Sequence, residues 1–223
     1  MAARKIKRGL FITFDGPEGC GKTTQSRALA LWLRRRGFSV VLTRDPGGSP
    51  IAEEIRDLLL DHRHKGLDPL SEMLLYETCR ASLVRDVILP ALRRGKIVVC
   101  DRFSDATHVY QGVAGGVPDR LIQYVDKAVC RGVTPILTFI LDVESRKGLK
   151  RLRRHRKLDR MEKKPLRFHE AVRRGYARIA KKNPARVKLI PPLPLEKVKE
   201  KIVTEVTRAL RRHFRAGPAG RVS

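Results

Sequence analysis

The stretch Gly16–Thr24 reads GPEGCGKTT and meets the spacing G-x-x-x-x-G-K-[ST] through Gly16, Gly21, Lys22 and Thr23. The chemistry this serves is the grip of a polyphosphate. A chain that turns sharply and aims several backbone N–H groups at one point needs residues free of Cβ clashes. Those N–H groups, with the positive end of the helix that follows, hold phosphate oxygens. Lys22 adds a point charge for the β- and γ-phosphates, and the Thr23 hydroxyl is placed to bind Mg²⁺. Pro17, Glu18, Gly19 and Cys20 fill the loop, and Thr24 reads as a helix residue close to the phosphates. Cys20 sits where the loop meets the helix. It is either a small side chain that fits there or a thiol of lowered pKa.

A second group follows the apolar run IVVC. Asp101 ends that run where an acid would help hold the hydration shell of Mg²⁺. Arg102 follows at the carboxyl edge, where α/β sheets bind ligands. Its planar fork suits a monophosphate, with a surface pair to Asp101 or Asp105 as the plainer alternative. Tyr76 and Arg80 are spaced i, i+4 and share one helix face. Together they could stack a base and donate to a carbonyl edge; alone, an aromatic at such a position is more often core.

The elements that must position these residues alternate along the chain. LFITFDG (10–16), SVVLTR (39–44), GKIVVCDR (95–102) and PILTFILDV (135–143) read as strands. The stretches 24–37, 51–61 and 69–92 read as helices, the first capped by Gly37 and the last carrying a Pro near its end. Runs apolar on both faces predict a parallel sheet covered by helices, hence a doubly wound α/β fold. The 223 residues fit one domain over 1–215, with a lid at about 145–165 and a disordered tail at 216–223. There is no apolar run of membrane-spanning length, the four cysteines form no C-x-x-C pair, and a soluble, cytoplasmic protein is expected. The net charge of +26 is lopsided. Residues 1–144 hold 22 Lys/Arg against 17 Asp/Glu, and residues 145–223 hold 27 against 6. Such a field attracts phosphates, although most of these charges read as a solvated basic surface.

The chain has no N-K-x-D guanine-reading stretch and no S-G-G-Q signature, so a small-molecule kinase is expected rather than a GTPase or transporter ATPase. Four blocks in order, FDGPEGCGKTTQ (14–25), TRDPGGSPIAEEIRDLLL (43–60), SEMLLYETCR (71–80) and DRFSDATHVYQG (101–112), make the sequence similar to bacterial thymidylate kinases. The resemblance implies a P-loop nucleoside monophosphate kinase fold, ATP as donor, dTMP as acceptor, Mg²⁺, and a homodimer formed through helices that could include 69–92. It implies Arg102 as the clamp on the dTMP phosphate, Arg44 near that phosphate, and Glu18 on the 3′-OH. It places Tyr76, Arg80 and Thr107 around the base, and the pair Tyr110–Gln111 beside the sugar, where the Tyr disfavours a 2′-OH.

In this family the catalytic cation comes either from an Arg inside the phosphate loop or from a flexible lid. This chain has Gly19 at the loop position, and KRLRRHRKLDRME (150–162) resembles the lid. The resemblance then makes Arg151, Arg153 and Arg160 lid arginines, with Arg156 in the same run. The chain departs from the family pattern at Asp45, where Glu is usual, at Gly115, at ETCR (77–80) and at LIPPLP (189–194). Two other readings remain: a kinase of another monophosphate such as dUMP, and a nucleic-acid-binding P-loop ATPase. The chain lacks a helicase motif set and is poor in aromatics for stacking single strands, so nucleic acid is not an expected partner, and neither is a membrane.

Overall fold

The computed structural model describes residues 9–215; the expected tail at 216–223 lies outside them. Five parallel strands, β1 (Leu10–Asp15), β2 (Val40–Arg44), β3 (Ile97–Asp101), β4 (Leu137–Leu141) and β5 (Val187–Ile190), run in the order β2-β3-β1-β4-β5. Every residue of β1 and β4 is buried, as the continuous apolar runs require for a sheet covered on both faces. Alternate β1 residues face opposite layers. Leu10, Ile12 and Phe14 pack with Leu29 and Leu33 of α1 (Lys22–Arg35) and with Val198, Ile202 and Val206 of α9 (Leu195–Arg215). Phe11 packs the other way, against Leu83, Val84, Ile88 and Phe103. The register aligns the strand ends that build the site: Asp101 lies beside Phe14 on one side and Arg44 on the other.

On that other face lie α2 (Pro50–Leu60), α3 (Pro69–Leu83), α4 (Leu89–Arg93), α5 (Ser104–Thr107), α6 (Asp119–Cys130), α7 (Ser145–Arg153) and α8 (Leu166–Lys182). The start of α3 follows local rules. The Asp68 carboxylate accepts from the N–H groups of Leu70 and Ser71 at 2.9 and 3.1 Å, and Pro69 occupies the first turn. The single helix expected over 69–92 is interrupted by a π-helical turn at Val84–Ile88, before Pro90 enters the first turn of α4. Proline donates no N–H and crowds the preceding carbonyls, and the wider turn accommodates it.

The basic segment after β4 docks on the phosphate loop through two glycines. A Cβ on Gly19 would overlap the Gly148 carbonyl, and a Cβ on Gly148 would overlap the Glu18 carbonyl. Helix α7 therefore lies backbone to backbone against the loop, at a distance no side chain permits. Alanine at 148 would favour the helix by about 1 kcal/mol, but the overlap is with main chain, and overpacking costs about 1–3 kcal/mol. Gly148→Ala is expected to lower the melting temperature by about 2–6 °C in a thermal melt. A rise would show that α7 stands off the loop.

Candidate active site

A cavity of about 570 Å³ opens at the carboxyl ends of the strands, with Lys22, Thr23 and Thr24 at one end and Tyr76, Arg80 and Thr107 at the other. The loop closes it with Gly16, Gly19 and Gly21, all at positive φ (137°, 68° and 92°), where an L side chain would be strained. Glu18, Gly19 and Gly21 line the cavity, whereas Gly16, Pro17 and Cys20 stand behind it. Pro17 offers its carbonyl to Lys22 Nζ at 3.4 Å. Burial pushes the Cys20 thiol above its usual pKa, so of the two sequence readings the small packed side chain is the one that fits. The Thr23 hydroxyl donates to the Asp101 carboxylate in a short contact across the cavity wall. These two oxygen donors suit a hard cation, and among the described residues no group of three or more His, Cys, Asp or Glu could cage one. A hard cation held by so few side chains would keep waters as its other ligands.

Arg102 leaves β3 in the left-handed region (φ 70°), so its guanidinium crosses back over β1. It donates to Gly16 O (3.2 Å), Tyr176 Oη (2.9 Å), Glu18 Oε1 (3.1 Å) and Tyr110 Oη (2.9 Å). Tyr110 in turn donates to Glu18 Oε1 at 2.6 Å. The surface pairing with Asp105 does not form, because Asp105 is held by both terminal nitrogens of Arg186 at 2.7 and 2.9 Å. Two members of the network, Tyr176 and His169 on α8, were missed by the sequence reading. Their signal was a buried helix stripe of mixed polarity, His169-Val172-Tyr176, at i, i+3, i+7.

The base end is tighter than expected. Arg80 is 1% exposed. It donates through Nε to Asp45 (2.7 Å), through Nη1 to Glu77 in a short contact and to Asp126 (3.5 Å), and through Nη2 to Thr107 Oγ1 (2.8 Å). Four of its five N–H groups are thus committed to protein and one remains. Burial pushes the Tyr76 hydroxyl pKa up, with Glu72 adding to the effect. Gln111 is buried and donates to Glu72 Oε1 at 2.8 Å. Arg44 pairs with Glu53 at 2.6 Å, not with Asp45, and its neighbour Arg56 also lines the cavity. Arg56 lay unremarked in the amphipathic pattern of α2. It donates to Pro46 O (2.9 Å), and burial and Arg44 push its pKa down. It is a cation beside a cation, in want of an anion.

Of the lid arginines, Arg151 reaches the loop, donating to Gly19 O at 2.9 Å. Arg156 lines the cavity while bound to Glu162 at 2.9 and 2.6 Å. Arg153 is exposed and outside the lining. Arg160 corrects the sequence reading. It is 5% exposed, donates through Nε to Leu59 O (2.7 Å) and pairs with Glu72 at 2.6 Å. It braces α2 against α3 behind the cavity instead of reaching into it.

Two buried carboxyls, Asp15 at the end of β1 and Glu18 in the loop, shift in opposite directions. Burial pushes both up. Glu18 nevertheless falls to about 2, because His169 (Nδ1 3.5 Å from Oε2), Arg102, Lys22 and the Tyr110 hydroxyl all favour its charge. Asp15 rises to about 7, since burial outweighs Arg102 at 3.8 Å and the Tyr176 hydroxyl at 2.9 Å, and Asp105 pushes it further up. Folded Asp15 thus keeps a proton that the unfolded chain loses near 3.8, so its contribution to stability falls as pH rises from about 4 to about 7 and is level above. Asp15→Asn, which keeps an acceptor for Tyr176, is expected to melt several degrees above the parent at pH 8 and level with it at pH 4. Parallel melting curves across that range would refute the assignment.

A thymidylate kinase family model matches residues 14–202. A thymidylate kinase of Deinococcus radiodurans is 44% identical over 181 residues, covering 81% of this chain and 87% of that protein. One from Thermoanaerobacter sp. (strain X514) is 40% identical over 204 residues, covering 91% and 100%. The crystal structure of thymidylate kinase from Ehrlichia chaffeensis superposes with a TM-score of 0.74 at 38% identity, covering 90% of this chain and 99% of that one. Family model, relatives and fold thus span nearly the whole described chain, site included, and the chain belongs to the thymidylate kinase family.

Proposed function

We propose that the chain transfers the γ-phosphoryl group of ATP to dTMP, giving dTDP. The observation that carries this is a single cavity with a phosphate loop at one end and a base-sized slot at the other, joined by the Arg102 guanidinium. The loop amides and Lys22 hold the donor phosphates. Arg102 and Arg56 hold the acceptor phosphate, with Arg44 beside them. No strong general base is needed, because the acceptor phosphate is already anionic; catalysis is positioning and charge stabilisation. Thr23 and Asp101 would hold Mg²⁺, which when bound neutralises charge on the bridged phosphate oxygens. The remaining N–H of Arg80 faces a base carbonyl across from Tyr76, with Thr107 fixing its plane, and Gln111 stands beside them. Tyr110 is locked by Glu18 and Arg102, and a locked ring there crowds a 2′-OH. Glu18 is charged at neutral pH and accepts the 3′-OH.

The segment at about 145–165 acts as the lid, Arg151 already on the loop and Arg153 brought over the transferring group by closure. The domain is 1–215. A second copy covers the apolar face formed by Leu70 and Leu74 of α3 with Leu121 and Tyr124 of α6, the last 78% exposed. A cytoplasmic setting fits four free cysteines, three buried and one half-buried; among the described residues no helix is long and apolar enough to cross a membrane.

Measuring ADP release with dTMP, dUMP, UMP and dGMP tests the activity, with dTMP expected to give by far the highest kcat/KM. ATP hydrolysis stimulated by DNA and indifferent to all four would sink it. Arg56→Ala is expected to raise KM for dTMP about 10–100-fold, the loss of a charge-assisted contact, and to leave KM for ATP nearly unchanged. Arg151→Ala and Arg153→Ala should each lower kcat at least about tenfold with little change in KM for dTMP. Unchanged kcat in both would remove the lid from catalysis.

A further inference from the structure

The kinase site leaves most of the positive charge unused. Residues 145–183 hold 17 Lys/Arg and 3 Asp/Glu. Of the three acids, Glu162 is taken by Arg156, Asp159 accepts from the Glu162 amide, and Glu170 is exposed on α8 between Arg167 and Arg174. Helix α8 sorts its polar residues by face. His169 and Tyr176 point into the site, and Arg167, Arg174, Arg178 and Lys181 lie about 140–180° round the helix from Tyr176. All four are exposed, none lines the cavity, and among the described residues none has a carboxylate partner. Helix α9 is also rich in lysine and arginine but pairs three of them within itself: Lys197 with Glu200, Lys199 with Glu196, Arg208 with Glu205. The stripe on α8 thus carries four cations against one acid, Glu170, and none of the four is held in an ion pair among the described residues.

We propose that this stripe docks the phosphate backbone of double-stranded nucleic acid. From Arg167 to Lys181 the stripe runs about 21 Å, the length occupied by about six phosphates of one strand of a duplex. The occupant is a duplex because the segment offers nothing else to read. Phe168 and Tyr176, its aromatics, are buried and cannot stack bases, and none of the exposed large hydrophobic residues falls between 145 and 183 to enter a lipid interface. The sequence reading did not expect nucleic acid as a partner; the exposed stripe opposite Tyr176 on α8 reverses that expectation, and it is independent of the kinase reading.

The test is fluorescence anisotropy of a labelled 20-base-pair duplex DNA of mixed sequence, titrated with the full chain from 50 to 300 mM salt. Binding is expected to fall steeply with salt. The variant Arg167→Glu/Arg174→Glu/Arg178→Glu/Lys181→Glu should bind at least about tenfold more weakly, with the salt slope flattened by about 3–4, and its kcat for dTMP should not change. The matching Gln variant should fall between it and the parent, and serves if the Glu variant does not fold. A control with the same charge change elsewhere, Arg35→Glu/Lys65→Glu/Arg93→Glu/Arg94→Glu, should keep its affinity within about threefold. The proposal is overturned by no binding at 50 mM salt, by equal weakening in the control, or by capture on phosphatidylserine vesicles with the duplex left free. It is also overturned if the α8 variant keeps the duplex and instead loses kcat/KM at low salt, which would make the stripe a steering field for nucleotides.

Discussion

The site depends on one guanidinium being held at a fixed place between the phosphate loop and the rest of the cavity. Arg102 is placed there by backbone before any side-chain contact is made. Its N–H donates to Phe14 O at 2.8 Å, the next rung after the β1–β3 pairing of Phe14 with Asp101. Its left-handed φ then turns the side chain back over β1. For a residue with a Cβ this conformation costs about 1–3 kcal/mol. The four hydrogen bonds that the guanidinium makes at its destination offset that cost, and charged hydrogen bonds are the stronger kind. The acceptors come from the phosphate loop, from the π-helical turn His108–Val113 and from α8. Donor loop, sugar side and the helix after the lid are therefore tied to one group.

The same economy of charge explains the base end. Arg80 faces three carboxylates, Asp45, Glu77 and Asp126. Burial pushes Asp45 and Glu77 up and Arg80 pulls them back, so the cluster tolerates more acids than one cation would balance. What it provides is rigidity. A guanidinium with four N–H groups committed cannot rotate away, and the one left over is preorganised for an acceptor in the cavity. The departures at Asp45 and Glu77 from the family pattern fall on this cluster, and both acids pair with Arg80, Asp45 at the cavity lining and Glu77 outside it.

What could be read from the chain was what is local. The phosphate loop is contiguous, the strands are unbroken apolar runs, and Asp101–Arg102 follows directly from one of them. The missing parts depend on partners far away in sequence. Tyr176 and Asp15 are separated by 161 residues, and Arg160 and Leu59 by 101. A buried arginine inside a run of surface arginines has no local mark; only Glu72, itself hidden in α3, shows that Arg160 turns inward. Arg56 was concealed for the opposite reason, since a charge on the polar face of an amphipathic helix looks solvated until the cavity is seen beside it. Gly148 read as an ordinary residue of a basic helix, and its importance lies in the loop it touches.

That contact bears on where the catalytic cation must come from. Any side chain at position 19 would overlap the Gly148 carbonyl, and any at 148 the Glu18 carbonyl. An arginine within the loop and a docked α7 are therefore mutually exclusive arrangements of this backbone. With glycine at both positions α7 settles onto the loop, and three residues after Gly148, on the same face of the helix, Arg151 meets Gly19 O. The glycine that leaves the loop without a side-chain cation is the one that admits the helix bearing Arg151. Exchanging Gly19 for arginine alone would not convert one arrangement into the other, because the new side chain would first have to expel α7, and with it Arg151.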